Sequence, residues 1–153
     1  MKILSVLALL LTFSSSASAQ TAMDEQIALV RQSAHTDRQV ILMGNVHFTS
    51  DESAEFWPAW KEYRAAMEAN GDRTLALIKN FAENYENMTD LKADELLTDS
   101  FSIRMQDLVI MQQFAKKINV FLPAQKVMRV IQIENKLDAA IEMQLASEIP
   151  LTK

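Results

Sequence analysis

An all-α fold is what this 153-residue chain predicts, and two observations carry that reading. Only 2 Gly and 3 Pro occur, and no stretch alternates apolar and polar residues between turn signals as a strand would. Long windows instead repeat Ala, Leu, Met, Glu, Lys and Gln, the residues that lose least on entering a helix. The expected architecture is an elongated antiparallel helical bundle that ends in a long C-terminal helical hairpin.

The elements follow in order. A first helix is expected over about 23–45, with Ile27, Val30, Ala34 and Ile41 on one stripe and Asp24 and Glu25 in the first turn, where they favour the dipole. Gly44 and Asn45 mark its end. In "FTSDE", Thr49 is an N-cap with Glu52 three residues later, a capping box that opens a second helix. Phe56, Trp60, Tyr63 and Met67 then form a narrow seam at spacings of 4, 3 and 4. "NGD" at 70–72 is expected to interrupt that helix, with a third segment from Arg73 to about Asn87. Thr89 caps a fourth helix over roughly 90–120, a rod of about 45 Å at the usual rise per residue. Pro123 suits the first turn of a last helix, because its missing N–H is not needed there, and Pro150 stops that helix. The short connection at Phe121 and Leu122 predicts an antiparallel hairpin between the last two helices.

The N-terminus "MKILSVLALLLTFSSSASAQ" combines Lys2, an apolar run from Ile3 to Phe13 and an Ala17-Ser18-Ala19 ending. This is the pattern of a secretory signal peptide, residues 1–19, cleaved after Ala19. The apolar run is shorter than the ~20 residues needed to span a bilayer. Residues 20–153 are then expected to form a single all-helical domain, periplasmic and without a stable membrane anchor. With no cysteine in the chain, packing alone must hold it together. Removing Lys2 leaves 14 basic against 20 acidic residues, a charge of about −6 that disfavours nucleic acid as a partner. No nucleophile elbow, phosphate-binding glycine loop or cysteine is present, so neither catalysis nor a cofactor is expected. His35 and His47 stand twelve residues apart, a spacing that does not by itself build a metal site.

Charges sit on apolar faces of the last two helices. Val127, Val130, Ile131, Leu137, Ile141 and Leu145 surround Glu134 and Asp138, while Leu97, Phe101, Leu108, Met111, Ala115, Ile118 and Leu122 surround Arg104. A buried ion must find a partner, and the predicted hairpin brings Arg104 to Asp138. Arg64, Arg73 or the Trp60 indole N–H are candidates to reach Glu134. The expected role of Arg104, Glu134 and Asp138 is to fix helix register.

In "EFWPAWKEYR", Phe56, Trp60 and Tyr63 read as core, although Trp60 is also kept with Trp57 and Arg64 as a candidate partner-binding group. Trp57 lies off the seam, and Pro58 removes the N–H that would bond the Ala54 carbonyl, so the helix is expected to bend there or to open by one turn. Trp57 is expected to be partly exposed or to pack at an interface.

"FTSDE" at 48–52 and "FLPAQK" at 121–126, with a looser echo in "MTDLK" at 88–92, resemble the LTxxQ motifs of the periplasmic Spy/CpxP family. Phe48 stands where that motif has Leu and Glu52 where it has Gln, and Leu122 stands where the second motif has Thr. "FWPAWKEYR" with "QIENKLDAAIEMQLASEIPL" is more similar to a related group of secreted helical proteins. The resemblance implies a dimeric, cradle-shaped envelope stress protein that works without ATP, as a chaperone for unfolded clients or by binding a membrane sensor. A regulatory or structural homodimer without chaperone activity is the alternative.

Overall fold

The computed structural model describes residues 37–152, all but a few of them with their side chains. The signal-peptide pattern, His35 and the first part of the first expected helix lie outside the described residues. The described chain is an all-α helical bundle: α1 over residues 37–45, α2 over Ser50–Asn84, α3 over Asp90–Ile118 and α4 over Ala124–Glu148, with a 3-10 turn at Tyr85–Asn87. None of the described helices is long and apolar enough to cross a membrane.

The helix starts form as the local chemistry dictates. Thr49 is extended (φ −70°, ψ 169°), its hydroxyl accepts from the Glu52 N–H at 3.2 Å, and the Glu52 carboxylate accepts from the Thr49 N–H at 2.8 Å. Two otherwise orphaned N–H groups are thereby satisfied. Thr89 opens α3 through the Lys92 N–H. Lys116 and Lys117 occupy the last turn of α3, where the dipole favours cations.

α2 does not stop at Gly71 as the sequence suggests. Neither glycine has a positive φ, and a Cβ on Gly71 would meet nothing within 4 Å. A helical glycine costs about 1 kcal/mol, less than the cross-helix bonds its neighbours make. Asn70, buried, donates from Nδ2 to the Ile103 carbonyl and to Asp107 Oδ1, both at 2.8 Å, and its Oδ1 accepts from Arg73 Nη1 at 3.0 Å. Pro58 also lies within α2. Its cost of ~3 kcal/mol is offset by burial of Phe56, Trp60 and Tyr63, each worth roughly 1.5–3 kcal/mol.

The chain divides into two compact units, one comprising the chain up to His47 with Gln132–Pro150, the other Phe48–Ile131 with Leu151–Lys153. The second unit is built on an antiparallel pair of α2 and α3. Leu96, Ile103, Ile110, Phe114 and Ile118 form the buried seam of α3, at spacings of 7, 7, 4 and 4. Phe114 stacks on Tyr63 with centroids 4.3 Å apart and lies 6.2 Å from Phe56. Arg73 reaches Ser102, Asn70 reaches Asp107, Glu62 pairs with Lys117 and Glu52 pairs with Lys126 at 2.6 Å. As the number falls along α2, the partner's number rises through α3 and into the first turns of α4.

The hairpin therefore lies between α2 and α3, one connection earlier than the sequence reading placed it. Lys117 and Lys126 meet glutamates ten residues apart on α2, about 15 Å along that helix. The chain advances along α2 through residues 119–123 rather than folding back. Helical bonding persists to Leu122, whose N–H bonds the Ile118 carbonyl at 2.9 Å, and is interrupted at Pro123, which has no N–H to give. In the first unit, Arg38 and Leu42 are buried one turn apart on α1, and Val46, just past its end, is buried one turn further on, its N–H bonding the Leu42 carbonyl at 2.9 Å.

Candidate interaction surface

The aromatic residues at the start of α2 divide by face. Phe56 and Trp60 are fully buried, which removes Trp60 from the residues that could meet a partner. Trp57 is half-buried, as its position off the seam predicts. Its indole N–H donates to Ser53 Oγ at 3.0 Å, one turn back, and its ring meets Phe56, Trp60 and Phe48 edge-on at 5.0, 5.5 and 6.1 Å. One ring edge is thus fixed by four neighbours while the remainder stays open. Arg64, seven residues on, is half-buried, with its guanidinium 5.6 Å from the Tyr63 ring centroid. Trp57 and Arg64 are left as accessible groups on this part of α2.

The two segments that carry the motif resemblance are joined directly. Glu52, in "FTSDE", pairs with Lys126, in "FLPAQK". The Lys126 ammonium, followed by the Thr49 N–H, holds the Glu52 carboxyl below its ordinary value of 4.5.

Asp138 is partnered differently from the expectation, and one arginine of α1 serves both α4 carboxylates. Arg38 Nη1 bonds Glu134 Oε2 at 2.7 Å and Nη2 bonds Asp138 Oδ1 at 2.5 Å. Glu134 and Asp138 stand four apart on α4, so one helical face offers both carboxylates to one planar guanidinium. Glu134 is buried, as the sequence predicts, and Asp138 is partly buried. Arg104 is exposed, so the expected pairing with Asp138 and the assignment of Arg104 as a buried charge are both corrected. The cause is the position of the hairpin: α3 packs on α2, which leaves the Arg104 face outward. Arg38 was missed because the stripe read on the first helix ended at Ile41, which is exposed, whereas the buried positions are Arg38, Leu42 and Val46. Their i, i+4, i+8 spacing was the available signal.

The face of α3 that the sequence assigns to a core is thus split: Leu97, Phe101 and Leu108 point outward, whereas Ile118 at the C-terminal end and Leu122 just past it are buried. Leu97, Phe101, Met105 and Leu108 are 53, 58, 63 and 61% exposed, at spacings of 4, 4 and 3 that keep them in one stripe. Scattered apolar residues on a surface are ordinary, but a contiguous row is characteristic of a binding site. Val120 and Met128 add exposed apolar side chains in the same unit.

Among the described residues, no group of three or more His, Asp or Glu side chains is placed to hold a metal ion, and His47 is exposed. No protein-family model, curated protein or solved structure matches the chain.

Proposed function

We propose that this protein is a helical binding protein of the cell envelope that holds apolar segments of other polypeptides without ATP, as a chaperone or an envelope-stress accessory. The single observation that carries this reading is the exposed row of Leu97, Phe101, Met105 and Leu108 on a helix whose opposite face is already packed. Such a helix needs no second apolar face to fold. Methionine suits this use, because its unbranched thioether chain adapts to varied apolar partners. The half-open Trp57 ring adds a second accessible site. The signal-peptide pattern and the motif resemblance support the periplasm as the compartment and an unfolded client or a membrane sensor as the partner.

The test is aggregation of a chemically denatured client diluted into buffer with residues 20–153 of this protein, followed by light scattering without nucleotide. Suppression at stoichiometric ratio is expected. Unchanged scattering with several unrelated clients at excess would remove the chaperone reading. A regulatory or structural homodimer that binds a membrane sensor, without chaperone activity, is the second reading.

A further inference from the structure

We propose that the outer face of α3 receives an amphipathic helical segment of another polypeptide, bound antiparallel to α3, with carboxylates at its N-terminal end, one apolar residue per turn along its middle and lysines or arginines at its C-terminal end. This rests on the reading of the apolar row as a binding surface and names what that surface selects.

Order, charge and area together select that occupant. Asp90, Asp94, Leu97, Phe101, Met105 and Leu108 follow one another at spacings of 4, 3, 4, 4 and 3, which keep all six within about 80° around the helix. Each of them is exposed. Gln112 and Lys116, also exposed, continue the stripe at two further spacings of 4. From the start of α3 to its end the stripe therefore runs acidic, apolar, basic. It presents one group per turn, the repeat that an antiparallel helix meets with its own i, i+3 and i+4 positions, whereas a strand turns every second side chain away.

The charges at the two ends are unused. Lys92 pairs with Glu95, Lys117 with Glu62, and Asp107 accepts from Asn70. The charged side chains of α3 that have no partner among the described residues are sorted by sign: Asp90, Asp94 and Asp99 before Phe101, Arg104 and Lys116 after it. Asp94 and Lys116 are about 33 Å apart along the helix, several Debye lengths at physiological salt, so neither neutralises the other. A segment with the same order of charges, laid antiparallel, sets its basic end on Asp90 and Asp94 and its acidic end on Lys116, and it opposes the two helix dipoles. Carboxylates first and cations last is also the order that stabilises the partner's own helix, so this face selects segments already inclined to be helical. The four apolar side chains offer about 500 Å² at their observed exposure, short of the ~800 Å² per partner of a standard stable interface. That area suits a single helix, held weakly and exchanged quickly.

The test titrates residues 20–153 into two labelled peptides of identical composition, each long enough to follow α3 and each with apolar residues at spacings of 3, 4 and 4 in its middle. One carries glutamates in its first turn and lysines in its last; the other has the two blocks exchanged. By fluorescence anisotropy at low salt the first peptide is expected to bind about tenfold tighter, the scale set by a few exposed ion pairs. High salt is expected to bring the two affinities together, because only the apolar contacts common to both remain. An unfolded client with both signs in no fixed order is for the same reason little affected by salt. Exchanging the blocks also weakens the second peptide's own helix, so the deciding comparison is made in the protein. In the double variant Asp94→Lys with Lys116→Glu, both at exposed positions and expected to leave the helical circular dichroism unchanged, the preference should be lost or inverted. A preference that persists in that variant overturns the proposal. So does a sedimentation mass of two chains that Phe101→Glu reduces to one, which would place a second copy on the face. Equal binding of both peptides at low salt, abolished by Phe101→Ser, overturns the selection and keeps the binding surface; failure of both peptides and of an unfolded client to bind removes the two together.

Discussion

Arg38→Met removes the guanidinium that serves two carboxylates at once. Glu134 has no exposed side-chain surface, and Arg38 is exposed by only 4%, so water cannot replace the lost bond without opening the structure. Breaking a buried ion pair by deleting one partner costs about 3–5 kcal/mol, because the remaining charge stays desolvated. Asp138 contributes less, since a quarter of its side chain is exposed and solvent takes over part of the loss. With a urea dependence of about 2 kcal/mol per molar, the denaturation midpoint should fall by roughly 1.5–2.5 M. The assay is urea unfolding followed by circular dichroism at neutral pH. Adding Glu134→Leu to Arg38→Met should recover much of the loss, since an apolar pair of similar volume is often no less stable than a buried ion pair. A midpoint shift below about 0.5 M for Arg38→Met would refute the reasoning, as would a further fall in the double variant.

Thr49→Ala deletes one half of the capping box and should cost about 1 kcal/mol, read as a lower thermal midpoint. Gly71→Ala should act in the opposite direction, stabilising by up to about 1 kcal/mol, because the position is helical and the added methyl meets nothing. Glu52 has a carboxyl held below 4.5 in the folded chain, so the stability it confers is present above that pH and is lost as pH falls through the depressed value. The difference in urea midpoint between the unmodified chain and Glu52→Gln should therefore narrow steadily below pH 4.5. Lys126→Met should narrow it too, since Lys126 is the main cause of the depression.

Local chemistry was legible and pairing was not. Thr49 with Glu52, Thr89 and the Phe56–Trp60–Tyr63 seam all act through neighbours within a turn or two, and each forms where the residues place it. The end of α2 was misread because a helix-breaking dipeptide is visible in the sequence, while the bonds from Asn70 to Ile103 and Asp107, 33 and 37 residues away, are not. The same limit moved the hairpin by one connection. The residues around 121–123 look like a tight turn, yet helical bonding carries on almost to Pro123 and the chain continues along α2. α3 has two apolar faces, and periodicity alone does not say which of them meets the neighbouring helix. That choice decides whether Arg104 is a buried partner of Asp138 or a surface charge. Trp57 was placed correctly because its departure from the seam is a matter of helical angle alone.

The central claim is that the exposed apolar surface binds polypeptide. Its most direct measurement is the fluorescence anisotropy of a labelled, permanently unfolded client titrated with residues 20–153 in the absence of nucleotide. Saturable binding, little weakened by salt because the contacts are apolar, and reduced when Phe101 and Met105 are changed to serine, is the predicted result. Anisotropy that stays flat across the titration, or binding that disappears on adding salt while Phe101→Ser and Met105→Ser have no effect, would contradict it.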